Sequence, residues 1–159
     1  RLIRILTRLE GVEEVDFVTH SMGGIVLRHA LSLRDSWPSH IRARKIAMLA
    51  PPYKGAAMAR LFKDVPPVRA VLGDALDDLA KEADAFDIPG AIDLLIIAGG
   101  MKDGRGLNPL IDGDDDGTVA VLETRPERSH EFRLIKAQHS LIMNNDEAGA
   151  AVLEFLKRD

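Results

Sequence analysis

The sequence predicts an α/β protein, a parallel sheet with helices on both faces. Three observations predict it. Short apolar runs of strand length alternate with stretches of helical periodicity along the 159 residues. The run Val15-Asp-Phe-Val-Thr19 passes through His20 and Ser21 straight into helical spacing, a strand–turn–helix unit. The residues with the most chemical potential fall just after strands, at the edge where parallel sheets assemble their sites.

The elements follow in order. Leu2, Ile5, Leu6 and Leu9 share one helical face, and Gly11 ends that helix. Val15–Thr19 is the first strand. From Met22 to Leu33, Ile25, Val26, Ala30, Leu31 and Leu33 form a mostly buried helix, and Gly23 and Gly24 let its first turn approach the sheet closely. Trp37-Pro-Ser39 is a loop, and Lys45–Ala50 is a second strand stopped by Pro51 and Pro52. Ala56–Phe62 and Asp74–Phe86 have helical patterns separated by Val65-Pro-Pro67, so that 53–92 is either a small cap or a helical layer on the sheet. Asp93–Ala98 is a third strand, Gly99 to Gly117 a loop rich in Gly and Asp, Glu131–Lys136 a fourth strand, and Ala148–Leu156 a closing helix.

Composition narrows the function classes. Apolar residues are 46% and charged residues 29%, with a net charge of −4 and both signs interspersed, so no basic footprint for nucleic acid is present. The absence of cysteine removes disulfides, thiolate metal sites and a cysteine nucleophile together. No apolar run approaches the roughly 18 residues of a membrane span. The chain opens at Arg1 inside an amphipathic pattern, which reads as a piece of a longer protein. No targeting signal is visible, which leaves the compartment open with the cytoplasm as the default expectation.

Ser21 stands at the strand-to-helix turn, the layout of a nucleophile elbow, in which a tight turn lifts a serine oxygen above the sheet. The strict pattern G-x-S-x-G is missed at its first position, which is Thr19. A serine hydroxyl becomes a nucleophile when a histidine takes its proton and an acid orients that histidine. Asp112, Asp114, Asp115 and Asp116 follow the third strand, and His139 follows the fourth. His20, His29, His40 and His130 lie beside the serine, on a helix, in a loop and at the wrong end of a strand. His139 is therefore the expected base.

These pieces resemble the bacterial esterase/lipase-type α/β-hydrolases. Phe17-Val-Thr-His-Ser-Met-Gly-Gly-Ile25, Leu49-Ala-Pro-Pro-Tyr-Lys-Gly55, Asp115-Asp-Gly-Thr-Val119 and His139-Ser-Leu-Ile-Met143 carry the resemblance, in family order. It implies a partial α/β-hydrolase fold with about four strands present. It implies a Ser21–His139–Asp116 triad, with Asp115 the close alternative for the acid and Asp112 and Asp114 behind it. It also implies a Met22 N–H in the oxyanion hole, a small ester or lipid substrate, and no cofactor; no metal is expected either, since no histidine pair has metal-ligand spacing such as H-x3-H. The family's earlier strands and its second oxyanion donor precede the elbow and are not in this chain. Losing one such donor lowers turnover about 100- to 1,000-fold, so the chain alone is expected to be a weak catalyst. In that topology Val15–Thr19 would be an open edge through which copies could pair.

Other readings use the same residues. Serine is favoured as a helix N-cap whatever its chemistry. Asp112, Asp114, Asp116, Gly117 and Glu123 match the spacing of an EF-hand calcium loop, but Pro109 and Pro126 stand where its flanking helices belong. A thioesterase, acyltransferase or amidase would use the same three groups, and a non-catalytic relative would keep the fold for binding or assembly.

Overall fold

A computed structural model of the chain describes residues 1–54 and 87–158, the side chain of Arg34 excepted. The expected helices Ala56–Phe62 and Asp74–Phe86, and with them the suggested cap, lie outside the described residues.

The described elements are α1 (Leu2–Leu6), β1 (Glu14–His20), α2 (Met22–Ser32), β2 (Arg42–Leu49), β3 (Asp93–Gly100), β4 (Glu131–Lys136) and α3 (Asp146–Lys157). Short 3-10 turns cover Arg34–Ser36, Val121–Thr124 and His139–Asn144. The strands form one sheet in the order β1-β2-β3-β4, every pair parallel. This is the α/β-hydrolase type of sheet expected from the sequence.

Side-chain alternation along β2 and β3 explains why both faces are covered. Ile46, Met48, Leu94 and Ile96 point to one face and pack with Leu27 and Leu31 of α2. Ala47, Leu49, Leu95 and Ile97 point to the other and pack with Ala148, Val152 and Phe155 of α3. Strands buried on both faces read as continuous apolar runs, as Leu94-Leu-Ile-Ile97 does. β1 has a strand partner on its β2 side alone among the described residues, and Val18 is 53% exposed. Its register slips between Val15 and Phe17, and Asp16 at the slip accepts from the Arg44 guanidinium and the Lys45 amide.

Element ends differ from the sequence reading for local reasons. α1 ends at Leu6 rather than Leu9, because Arg8 and Leu9 turn back with i→i−3 bonds to Ile5 and Leu6. Ile5 is also 55% exposed, so the apolar face is not continuous. β2 begins at Arg42 rather than Lys45, its amide donating to Glu13 O at 2.7 Å. α3 begins at Asp146 rather than Ala148, because the Asn145 side chain accepts the Ala148 amide as an N-cap and two acids follow in the first turn. At its other end the buried Lys45 ammonium donates to the carbonyls of Phe155, Leu156 and Arg158. A buried cation thus satisfies carbonyls that a helix C-terminus leaves open.

Candidate active site

The site is built at the carboxyl ends of the strands. β1 delivers Ser21 at φ 51°, ψ −124°, a conformation that glycine adopts freely and an L-residue rarely does. The Ser21 amide is anchored to Leu49 O at 2.9 Å, and α2 starts at the next residue. Met22 is thus the first helical residue, and its N–H belongs to the set that a helix leaves without an intrahelical acceptor.

Thr19, the departure from the glycine pattern, lies beside the two glycines that follow the elbow, at ordinary contact distance. A Cβ on Gly23 would stand 3.5 Å from Thr19 Cβ. One on Gly24 would stand 3.3 Å from Met48 Sδ, 3.4 Å from Pro51 Cβ and 3.6 Å from Thr19 Oγ1. The tightest of these approaches is to Met48 of β2, so glycine at 24 keeps the helix close to the sheet there. Thr19 Oγ1 is buried without a hydrogen-bond partner among the described residues.

His139 follows β4 and opens a 3-10 turn. Its Nε2 lies 2.9 Å from Ser21 Oγ and its Nδ1 lies 2.8 Å from Asp116 Oδ2. A carboxylate oxygen accepts, so Nδ1 carries the proton and Nε2 is left to accept from the serine hydroxyl. The Asp116 side chain has no solvent exposure. Its Oδ1 takes the amides of Thr118 (3.0 Å) and Val119 (2.8 Å), and its main-chain oxygen takes the His139 amide (2.9 Å). Gly117, at φ 97°, allows the reversal that turns those amides back onto the carboxylate.

The other aspartates have different places. Asp115, also buried, accepts from Asn108 N and Gly117 N. Asp114 accepts from Met101 N (2.7 Å) and Lys102 N (2.8 Å). Asp112 is exposed. The structure therefore brings Ser21, His139 and Asp116 into one line and uses Asp114 and Asp115 to knit the loop. Among the described residues no group of three His, Asp or Glu is arranged to hold a metal ion. Of the carboxylates that gave the calcium-loop spacing, Asp114, Asp116 and Glu123 accept from backbone amides.

Gly99, Gly100 and His20 contribute in ways not assigned from the sequence. Gly99 and Gly100, read as loop, continue β3 and pair with Ile135 and Lys136. A Cβ on Gly99 would come within 2.8 Å of Ala137 O and 2.9 Å of Asp116 Cβ, and one on Gly100 within 2.9 Å of Asp114 Oδ1. Adjacent glycines at the end of a buried strand are a signal of close backbone approach. His20, beside the serine in sequence, has its Nε2 3.0 Å from the His139 carbonyl oxygen. Burial holds His20 below the ordinary histidine value, against the pull of that hydrogen bond. Tyr53, in the Pro-rich stretch after β2, packs into the α2-side core, with its hydroxyl donating to Asp87 at 2.8 Å and Arg28 stacked 3.7 Å from its ring. Burial pushes the Tyr53 hydroxyl well above its ordinary value, so it stays a donor.

A parallel sheet covered on both faces, with a serine on a positive-φ turn between strand and helix, defines the class as an α/β-hydrolase fold. Residues 2–105 match the PGAP1-like alpha/beta domain, and the chain belongs to that family. Solved structures are similar in fold. The lin2722 gene product of Listeria innocua aligns with TM-score 0.60 at 18% identity, over 99% of this chain and 63% of that one. A protein of Agrobacterium vitis S4 aligns with TM-score 0.52 at 14% identity, over 91% of this chain and 60% of that one. The chain thus spans less than two thirds of either protein. No curated protein matches it. Among the described residues no helix is long and apolar enough to cross a membrane.

Proposed function

We propose that this chain carries the nucleophile, base and acid of a serine hydrolase acting on carboxylic esters. The observation that carries the reading is the continuous line from Ser21 Oγ through His139 to Asp116, at 2.9 Å and 2.8 Å, on a turn at φ 51°. In this reading Ser21 Oγ attacks the ester carbonyl carbon while His139 Nε2 takes the hydroxyl proton. The buried Asp116 carboxylate steadies the imidazolium, and the Met22 N–H donates to the developing oxyanion. Collapse of the tetrahedral intermediate breaks the C–O bond, and His139 returns the proton to the departing alcohol. Water then attacks the acyl-serine with His139 again as base. The acid leaves, and Ser21 regains its proton.

The same steps serve thioesters, amides or transfer to another acceptor, so the ester is the simplest acyl donor for the test. In the full-length protein, hydrolysis of a short-chain p-nitrophenyl ester is expected to fall to background in Ser21→Ala and His139→Ala. A Ser21→Ala protein that kept the wild-type rate would remove the reading and leave the fold as a binding scaffold.

A further inference from the structure

The elbow and the base meet at a second point that proton transfer does not use. His20 ends β1, immediately before Ser21, and its Nε2 lies 3.0 Å from the His139 carbonyl oxygen. A carbonyl only accepts, so His20 Nε2 carries a proton and donates it. The two imidazole rings are 5.1 Å apart and tilted by 44°.

The topology makes this bond consequential. Ser21 follows β1 and His139 follows β4, which lie at opposite ends of the strand order with β2 and β3 between them. No ladder bond connects β1 to β4, so the spacing between nucleophile and base is set by loops. Asp116 holds the main chain of His139 at its amide, at 2.9 Å, and its ring at Nδ1, at 2.8 Å. Both restraints come from the β3 side. The carbonyl of His139 is held from the β1 side, by the residue that precedes the nucleophile.

We propose that His20 is a positioning residue, a strut between the nucleophile elbow and the base that sets the reach from Ser21 Oγ to His139 Nε2. The inference rests on the hydrolase reading above. Misplacement of a reacting group by about 1 Å can lower a rate on the order of a hundredfold, so losing the strut slows acylation while leaving substrate binding nearly intact.

His20→Leu keeps bulk but removes the donor, whereas His20→Gln keeps an N–H at the same number of bonds from Cβ. The experiment measures the acylation burst with a p-nitrophenyl ester in full-length wild type and both variants. The downfield Nδ1–H resonance of His139 is recorded by proton NMR alongside. The expected result is a burst rate about 10- to 100-fold lower in His20→Leu with KM little changed, a displaced His139 resonance, and recovery of most of both in His20→Gln. A His20→Leu protein that acylates at the wild-type rate, or a folded His20→Gln protein as slow as His20→Leu, would overturn the strut while leaving the hydrolase reading in place. A wild-type protein with no acylation at Ser21 would overturn both.

Discussion

Gly99 and Asp116 are in contact in a way that only a glycine permits: a Cβ built on Gly99 would stand 2.9 Å from the Cβ of Asp116. The same Cβ would press on the carbonyl of Ala137, at 2.8 Å, two residues before the base. The last turn of β3 is therefore the floor on which acid and base loops rest. Gly99→Ala is expected to destabilise the fold by about 1–3 kcal/mol, the range for overpacking a filled site, and to lower the proposed hydrolysis of p-nitrophenyl esters beyond the loss of folded protein. Denaturant midpoints and the activity of the folded fraction check it; unchanged values for both would contradict it.

The buried acids separate by role. Asp116→Asn keeps an acceptor for the Thr118 and Val119 amides but presents an N–H or a weaker acceptor to His139 Nδ1. It is expected to lower kcat on the order of ten-thousandfold by favouring the wrong tautomer. Asp115→Asn loses charge-assisted bonds from Asn108 and Gly117. It is expected to destabilise the loop by about 1–3 kcal/mol while folded protein keeps most of its rate. Kinetics and thermal melts of the two variants side by side decide between these assignments, and equal rate losses would contradict them.

Strain at the elbow has its own signature. Ser21 sits at φ 51°, ψ −124°, where a Cβ is unfavourable by about 1–2 kcal/mol. Glycine relieves that strain but loses about 0.5–1 kcal/mol to greater freedom in the unfolded chain. Ser21→Gly is therefore expected to melt above Ser21→Ala, with both inactive. Calorimetry that placed the glycine variant below the alanine variant would argue against a strained turn.

His20 makes stability depend on pH. Its folded value is lowered from 6.5, first by burial, so the unfolded chain binds the proton more readily. Its contribution is full above about pH 6.5 and is lost as the pH falls through that value toward the lower folded one. Melting temperatures followed from about pH 8 down to about pH 5 are expected to fall less steeply in His20→Gln. Parallel curves would contradict this.

Much of the site was legible because it rests on local pattern. The Val15–Ile25 stretch carries strand, turn and helix together, and Asp116-Gly-Thr-Val119 places a carboxylate one residue before a glycine that folds the next amides back onto it. Serine, aspartate and histidine each follow a strand of one parallel sheet, which places all three at one rim. What escaped depended on distant partners. The acceptor of His20 lies 119 residues away, and no spacing announces it. Gly99 and Gly100 look like the start of a loop until Asp116 and Asp114 are seen packed against them. Lys45 reads as a polar strand residue until the end of α3 arrives over it. In the structure Asp115 is turned toward Asn108 and Gly117, a distinction that four clustered aspartates cannot show as letters.

Activation of Ser21 is tested most directly by covalent labelling of the full-length protein with a fluorophosphonate probe, the adduct mapped by mass spectrometry. A single adduct on Ser21 is expected, absent from His139→Ala and strongly slowed in Asp116→Asn. A folded protein that stays unlabelled, or one that labels equally well without His139, would contradict it.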